Sequence, residues 1–353
     1  MSDAGARASS SSPEELTSRL NAFIADRAGV APERVRVEEL RPLAGGASRE
    51  LWSLDVEIDA QGSASRRLEL VLRRDPPGRS DESDRSLEFR LLKAAASAGV
   101  RVPRVHWCCA DAAILGSPFF LMDRVPGETI PRRLLRDSKY SEARRALTAQ
   151  LGEILARIHR IDPDDPDLED LASASAGFES GRAEVERIAE GVRTLQVEPH
   201  PVLDLAERWL LDRAPEPKQR VVVHGDYRVG NVIFDTTGVR AILDWELSHV
   251  GDPVEDLGWL CVRAWRFGND ELPVGGVGTR EELIQAYQEA GGERVDPEVL
   301  RFWEACGNFK LALVFIRQAR VFLDGVPSVE LASLGRRIAE VEEEILNLME
   351  EGT

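Results

Sequence analysis

The stretch that decides the fold is residues 221–260, which read VVVHGDYRVG NVIFDTTGVR AILDWELSHV GDPVEDLGWL. Its three leading valines predict a short apolar strand, and the polar loop that follows ends at Asn231. Two further apolar runs, 232–234 and 239–243, flank a Thr-Thr-Gly turn and therefore predict a β-hairpin. Asp244 follows the second of these strands directly.

The ends of this hairpin carry side chains suited to metal binding. Because a hairpin brings its two ends together, we expect Asn231 and Asp244 to be neighbours, and their amide and carboxylate oxygens are hard ligands for Mg²⁺. Asp226, five residues before Asn231, would face the same ion from the loop. A proton-accepting carboxylate beside such a pair is the arrangement that phosphoryl transfer requires. A surface loop whose Asp residues cap helices explains each residue singly but not their combination.

The composition is that of an acidic globular protein. Of the 353 residues, 43% are hydrophobic and 30% charged, enough for two domains or one large two-lobed unit. The net charge of −17 argues against binding to nucleic acid or to an anionic membrane surface. With no apolar run of membrane-spanning length and no apolar signal segment, we expect a cytoplasmic protein. The cysteines form no CxxC pair and are expected to be reduced core thiols: Cys108, Cys109, Cys261 and Cys306.

Strand-like and helix-like patterns divide the chain near residue 125. Residues 1–11, rich in Ser, Ala and Gly, predict a disordered tail. Region 12–125 is rich in strand patterns, whereas region 126–353 is mainly helical apart from an insert at 220–243. The predicted strands of the first region are 35–43, 51–58, 68–72, 104–109 and 119–125, and the predicted helices of the chain are 13–27, 81–98, 142–161, 298–323 and 330–350. We expect the last helix to pack within its own chain, which leaves a monomer or a homodimer open.

The motifs HGDYRVGN, ILDWE and GDPVEDL resemble the aminoglycoside phosphotransferase family, which is similar in fold to protein kinases. LDWELSHVGDPVEDLGWL and LVLRRDPPG resemble one branch in particular, the phosphotransferase domains linked to acyl-CoA dehydrogenases. The resemblance covers about residues 35–325 and implies an α+β, protein-kinase-like bilobal fold. Its small antiparallel β N-lobe with one helix, 12–125, would bind nucleotide, and its larger, mainly helical C-lobe, 126–353, would hold the catalytic and acceptor-binding residues.

The resemblance implies roles for the residues of the central stretch. Asp226 would be the catalytic base that orients the acceptor hydroxyl, and Asn231 and Asp244 would hold Mg²⁺. Arg228 would reach the γ-phosphate, or it is an arginine paired with a carboxylate or exposed at the surface. Asp256 would tie down the loop.

For the N-lobe, the resemblance implies a phosphate-covering loop, a basic strand residue and a helix acid. The loop would be Leu43–Arg49, where Gly45 and Gly46 permit a tight turn and the backbone up to Ser48 faces phosphates. Where protein kinases have a strand lysine, this chain has Arg73, which would bind the phosphates and pair with Glu88, unless Glu88 is an exposed helix glutamate. Arg74 points the other way along the strand and is expected to be solvated.

The strand 119–125 would be the hinge that binds adenine. Backbone groups from Asp123 to Val125 would contact the base, with Met122 beside it, and Met122 fits equally well as a plain core residue. Histidines 159 and 224 are expected to make structural hydrogen bonds.

The implied activity is an ATP- and Mg²⁺-dependent phosphotransferase that transfers the γ-phosphoryl group to a hydroxyl of a small molecule. The acceptor is an aminoglycoside or similar cationic antibiotic, or alternatively a hydroxyacyl acid or its CoA thioester. A third alternative is a pseudokinase that binds nucleotide or a partner without chemistry, against which the complete set of Asp226, Asn231 and Asp244 argues.

The acceptor site is expected between the segment 128–140 and the long helix 298–323. A CoA acceptor would need a basic entrance, to which Arg132, Arg133 and Arg136 are possible contributors unless they form a solvated helix face. Glu304, Asn308 and Arg317 fall within the long helix, and their spacing does not decide whether they share one face.

Overall fold

Two units make up the chain in the computed structural model, which describes residues 13–43, 50–59, 65–75, 85–175, 180–216 and 218–350. The first unit contains residues 1–96 and 102–126, and the second contains residues 97–101 and 127–353. The tail expected over residues 1–11 lies outside the described residues.

The first unit is built on an antiparallel five-stranded sheet with the strand order β1-β2-β3-β5-β4. Its apolar face packs against helix α1, and its core is formed by Leu20 and Phe23 from that helix together with Leu54 and Leu70, which pair across β2 and β3. The elements are α1 (Pro13–Ala28), β1 (Val35–Pro42), β2 (Glu50–Ile58), β3 (Arg66–Arg74), α2 (Arg85–Ser97), β4 (Val105–Cys109), α3 (Ala112–Leu115) and β5 (Phe119–Asp123).

The second unit is mainly helical and contains two small antiparallel sheets, β6-β9 and β7-β8. Its helices are α4 (Pro131–Arg136), α5 (Ser141–Ile158), α6 (Glu169–Ala174), α7 (Gly181–Leu195), α8 (Pro201–Arg213), α9 (Val254–Cys261), α10 (Arg280–Glu289), α11 (Pro297–Leu323), α12 (Val329–Arg336) and α13 (Ile338–Glu350). Its strands are β6 (Val221–Val223), β7 (Val232–Asp235), β8 (Gly238–Ile242) and β9 (His249–Gly251).

Helix α11 is the centre of the second unit. Its start is fixed by Asp296, whose carboxylate accepts the N–H of Glu298 at 3.0 Å, and by a proline at the first helical position. Between Leu300 and Ile316 it is buried on nearly all sides by α7, α8, α9, α12 and α13. None of the described helices, α11 included, is both long enough and apolar enough to cross a membrane.

Two sequence expectations are wrong in their local detail. The pattern over 330–350 predicts one helix, but the structure has α12 and α13 with a turn at Arg337, where the N–H of Arg337 bonds to the carbonyl of Leu334 at 3.0 Å. This bond spans three residues rather than four, which tightens and ends the first helix. The apolar residues of α13 pack within the second unit, as expected.

The second error concerns Arg74, which is 2% exposed rather than solvated. The pleat of β3 sends Arg74 to the same face as the core residue Leu72, and Glu50 is its direct partner on β2. The guanidinium contacts the carboxylate of Glu50 at 2.7 Å and donates to the carbonyl of Leu115 at 2.8 Å. Burial of the guanidinium is tolerated because a carboxylate and a carbonyl group both bind it.

A buried ion cluster joins strand β9 to helices α7, α9 and α11. The Nε2 of His249 lies 3.1 Å from the carboxylate of Glu255, and the ammonium of Lys310 lies 3.5 Å from Glu255 and 3.8 Å from Glu184. The guanidinium of Arg187 binds Glu184 through two hydrogen bonds. Residues 252–253 lie between β9 and α9, in the segment that follows the hairpin. Because the cluster joins β9 to α9, it fixes the position of this segment.

The charges in this cluster shift its titrations. Burial alone would raise the pKa of Glu255, but the charges of His249 and Lys310 outweigh it and lower that pKa to about 2. Burial alone would lower the pKa of His249, but the Glu255 carboxylate raises it above its ordinary value of 6.5.

We expect the His249–Glu255 pair to contribute most to stability between about pH 4.5 and 6.5. The contribution of His249 is complete below about pH 6.5 and is lost as the pH rises through its raised folded-state pKa. The contribution of Glu255 is complete above about pH 4.5 and is lost as the pH falls towards 2. His249→Gln should therefore lower Tm most near pH 5 to 6 and progressively less at alkaline pH. Thermal unfolding from pH 4 to 9 measures this; a Tm deficit that stays constant across the range would contradict it.

Candidate active site

The hairpin β7-β8 brings together the two ends that the sequence singles out. Val232 pairs with Ile242, and the N–H of Leu243 bonds to the carbonyl of Asn231 at 2.8 Å. Asp244 is the next residue. Its φ of 68° is in the left-handed region, which residues other than glycine adopt at a cost and which is enriched at functional sites.

The carboxylate of Asp226 is held by three donors. The amide Nδ2 of Asn231 donates to Oδ2 at 2.6 Å, while the Nε of Arg228 and the indole Nε1 of Trp259 donate to Oδ1 at 2.9 and 2.8 Å. The Asp226 side chain is 14% exposed, so this carboxylate is fixed in orientation but still accessible. A carboxylate held in this way can accept a hydrogen bond or a proton from a hydroxyl placed against it.

The loop that carries Asp226 is anchored from both sides. The fully buried carboxylate of Asp256 accepts the N–H groups of His224 and Gly225 at 2.8 and 3.0 Å. On the other side, the hydroxyl of Tyr227 donates to the carbonyl of Leu151 at 3.0 Å. The histidine expected in the core, residue 159, is buried and also contacts the carboxylate of Asp256, at 3.3 Å.

His224 links this loop to the end of the hairpin. Its ring Nδ1 lies 3.3 Å from the N–H of Asp226, and its Nε2 lies 3.1 Å from the carbonyl of Leu243. Since an N–H must meet a lone pair at each contact, Nδ1 accepts and Nε2 donates, which requires the neutral ring. Complete burial lowers the pKa of His224 and therefore keeps it neutral.

Glycine is required directly before Asp226. Gly225 has φ +79°, and a Cβ at this position would lie 2.2 Å from the carbonyl oxygen of Leu247. Both the backbone angle and the close approach exclude other residues.

Arg228 is partly exposed and paired with a carboxylate. Its guanidinium lies 4.7 Å from the centroid of the Trp265 ring, and its Nε binds Asp226. The structure therefore places a cation beside the Asp226 carboxylate and stacks it on an aromatic ring.

The donor set at the hairpin end fits a magnesium ion. Asn231 gives its Nδ2 to Asp226, which leaves its oxygen pointing away from that carboxylate, and the carboxylate of Asp244 comes from the adjoining chain end. Across the described parts of the chain, no group of three His, Cys, Asp or Glu residues forms a complete protein cage for a metal. Mg²⁺ is commonly bound by one or two protein oxygens together with phosphates and water, and this arrangement offers that number.

In the first unit, Arg73 and Glu88 form a buried ion pair, with the Nε of Arg73 2.9 Å from the carboxylate. Their side chains are 8% and 4% exposed, so Glu88 is not an exposed helix residue. A second arginine, Arg85, also binds Glu88 and reaches Asp75 at 3.3 Å. Sequence reasoning missed Arg85, because nothing in the pattern distinguishes it from a solvated arginine.

The expected hinge residues lie at the end of β5. Met122 is buried and pairs with Val71. The N–H of Asp123 bonds to the carbonyl of Arg104 at 2.8 Å, and its carboxylate lies 2.6 Å from the Nε2 of His106. Val125 follows in a half-buried position. The glycine loop residues Gly45, Gly46 and Ser48 lie outside the described residues.

The three residues of helix α11 that the sequence analysis considers for an acceptor site lie in different surroundings. Glu304 is fully buried and is bound by Arg266 and Arg280, each at 2.7 Å. Arg317 is exposed. Asn308 lines a cavity together with Arg132 and Arg136, whereas Arg133 binds Glu128 at 2.7 Å and does not line that cavity.

Comparison with known proteins relates this chain to a protein family. The model of the family described as "Phosphotransferase enzyme family" matches residues 39–303. Acyl-CoA dehydrogenase family member 10 of Mus musculus is 31% identical over 272 residues, which covers 73% of this chain and 24% of that protein. Member 11 of Rattus norvegicus is 31% identical over 275 residues, which covers 71% of this chain and 32% of that protein. The chain thus spans between about a quarter and a third of the length of these relatives.

Solved structures show the same fold. A Ralstonia eutropha protein described as a candidate aminoglycoside phosphotransferase superposes with a TM-score of 0.74 at 23% identity, covering 95% of this chain and 98% of that chain. This likeness confirms the expected α+β, protein-kinase-like fold with an antiparallel-sheet N-lobe and a mainly helical C-lobe. With the family model matching most of its length, the chain belongs to the phosphotransferase enzyme family.

Proposed function

We propose that this protein transfers the γ-phosphoryl group of ATP, with Mg²⁺, to a hydroxyl group of a small molecule. The observation that carries the proposal is the Asp226 carboxylate, fixed by three donors and placed next to the hairpin ends that bear Asn231 and Asp244. Family membership supports phosphotransferase chemistry. A structural neighbour of 16% identity, a thermostable mutant of the aminoglycoside phosphotransferase APH(4)-Ia, was crystallised with ADP and hygromycin B, which supports nucleotide use.

In this proposal Asp226 is the catalytic base. Its carboxylate accepts the hydrogen bond of the acceptor hydroxyl and points the oxygen at the γ-phosphorus. As the new O–P bond forms, the bond from phosphorus to the β,γ-bridging oxygen breaks, ADP leaves with that electron pair, and Asp226 takes the hydroxyl proton. Arg228 would stabilise negative charge on the transferring group.

We assign the metal to residues of the second unit and the nucleotide to residues of the first unit. Asn231 and Asp244 would hold Mg²⁺, which when bound neutralises charge on the phosphates. Arg73, oriented by Glu88, would bind the phosphates, and the backbone at Gly45, Gly46 and Ser48 would cover them. The adenine base would be bound at the end of β5, beside Met122 and against the backbone of Asp123 and Val125. Because the N–H of Asp123 is already bonded to Arg104, its carbonyl is the group assigned to the base.

We expect the protein to be stabilised by ATP only when Mg²⁺ is present. A ligand at about 100 times its Kd adds about 2.7 kcal/mol, which raises Tm by a few degrees in a chain of this size. EDTA should remove the shift, and Asp244→Asn should remove it even when Mg²⁺ is present. Asp235→Asn, at the turn end of the same hairpin, should keep the full shift. Equal shifts with and without Mg²⁺ in the unaltered protein would contradict the metal assignment, and no shift at all would contradict ATP binding, on which the proposed function rests.

We also assign Trp259 as a positioning residue that acts through Asp226. Trp259→Phe keeps an aromatic ring but removes the N–H that binds Oδ1, and hydrogen bonds to charged groups are worth about 1.5–3 kcal/mol. We therefore expect kcat to fall roughly tenfold to a hundredfold with an unchanged KM for ATP.

A double-mutant cycle separates this role from a structural one. Asp226→Asn alone should reduce kcat by about 10² or more, and adding Trp259→Phe should cause no further loss, because the positioned carboxylate is already gone. Trp303→Phe, a change at another buried tryptophan of the same unit, should leave kcat within about twofold in both backgrounds. Full turnover in Asp226→Asn would refute the base assignment, and additive losses in the cycle would refute the positioning role of Trp259.

A further inference from the structure

A cavity of about 390 Å³ in the second unit combines features that select a class of ligand. Arg132 and Arg136 reach it from α4, and Asn308 lines it from α11. The remaining wall comes from residues 263–270 and 337–341 and from apolar side chains of α11. Its volume is within the range of small-molecule sites.

The charge around this cavity opposes that of the chain. Four arginines and two carboxylates line it, although the whole chain carries a net charge of −17. Two of these arginines are already paired: Arg263 lies 2.7 Å from Glu343, and Arg337 lies 3.1 Å from Glu340. Arg132 and Arg136 have no acidic side chain within ion-pair distance among residues 13–350 that the structure describes. Their charge is therefore available to a ligand.

Asn308 adds a buried hydrogen-bond acceptor to the wall of the cavity. Its side chain is fully buried, and its Nδ2 donates to the carbonyl of Glu304 at 2.9 Å. Within the described part of the chain, its Oδ1 accepts no hydrogen bond. A buried acceptor without a partner is uncommon, and a ligand O–H or N–H would satisfy it after a shift of the side chains that cover Asn308.

The third feature is an apolar wall formed by Leu311, Phe315 and Val341. It would contact a hydrocarbon segment of a ligand rather than a polyhydroxylated, polycationic one.

A short chain of contacts connects the cavity to the Asp226 carboxylate. Ala264 lines the cavity, and the next residue, Trp265, stacks on the Arg228 guanidinium at 4.7 Å. Arg228 in turn donates to Asp226. These contacts link the wall of the cavity to the groups assigned to phosphoryl transfer.

We propose that this cavity binds the phosphoryl acceptor, and that the acceptor carries an anionic group, a carboxylate or a phosphate, next to a short apolar segment. The statement that the ligand is the phosphoryl acceptor rests on the proposed function, whereas the binding of an anion rests on the cavity alone. Arg132 and Arg136 bind the anionic group, Asn308 accepts a hydrogen bond from the ligand, and the apolar wall contacts the hydrocarbon. A cationic antibiotic would meet a wall with an excess of arginines.

A matched set of six-carbon probes tests the charge preference: hexanoate, hexyl phosphate, hexylamine and hexanol. Ligand-detected NMR measures their binding at low ionic strength. We expect hexanoate, hexyl phosphate or both to bind, and hexylamine and hexanol to bind at least about tenfold more weakly, a difference of about 1.4 kcal/mol. Preference for hexanoate identifies a carboxylate as the anionic group, and preference for hexyl phosphate identifies a phosphate. Equal binding of hexylamine, or no binding of either anion, overturns the proposal.

Variants locate the site. The double variant Arg132→Ala/Arg136→Ala should weaken anion binding about tenfold or more, whereas Arg133→Ala, on the same helix but paired with Glu128, should change it by less than about twofold. An unchanged affinity in the double variant places the anion elsewhere and overturns the proposal.

The two proposals fail separately in this design. All variants are also measured for stabilisation by ATP and Mg²⁺, which the arginines of α4 should not affect. Anion binding without nucleotide binding would refute the proposed function and support the anion site in the cavity. Nucleotide binding without anion binding would support the proposed function and refute the anion site.

Discussion

A fully buried carboxylate, that of Asp256, fixes the geometry of the candidate active site. A charge out of contact with water is tolerated only when its oxygens are hydrogen-bonded, and here they accept the backbone N–H groups of His224 and Gly225 and contact His159. These bonds hold the residues just before Asp226. Because a carboxylate can orient a hydroxyl only if its own position is set, the Asp226 geometry depends on a residue thirty positions further along the chain.

The neutral His224 ring extends this constraint to the hairpin. It accepts the N–H of Asp226 and donates to the carbonyl of Leu243, so the loop and the end of β8 are tied through one side chain. Asp244 comes directly after that carbonyl with a left-handed backbone, a conformation that must be stabilised by its surroundings. The bonds from His224 and Asn231 to the Leu243 backbone are part of that stabilisation.

The sequence was sufficient where a contact is local or follows from strand geometry. A hairpin of short strands dictates that Asn231 and Asp244 approach each other, and the alternation of β3 separates Arg73 from Leu72. It was insufficient where a contact joins distant segments. Trp259 lies 33 residues from Asp226 in the sequence. A tryptophan in an apolar helix indicates a core residue, so the sequence pattern does not predict that its N–H donates to Asp226. Arg74 is buried because Glu50 and the carbonyl of Leu115 meet it, and only the register and the position of α3 reveal that.

Trp259 contacts both the Asp226 carboxylate of the candidate active site and the buried ion cluster that stabilises the fold. The edge of its indole donates to Asp226, while the ammonium of Lys310 lies 5.2 Å from the centroid of its ring. Lys310 belongs to the buried ion cluster with Glu255 and His249. A cation over an aromatic face is attracted to it and polarises the ring, which strengthens the N–H as a donor. The cluster that holds β9 and α9 in place therefore also holds the tryptophan that orients Asp226, so loss of its charges would affect the carboxylate through a side chain that touches both.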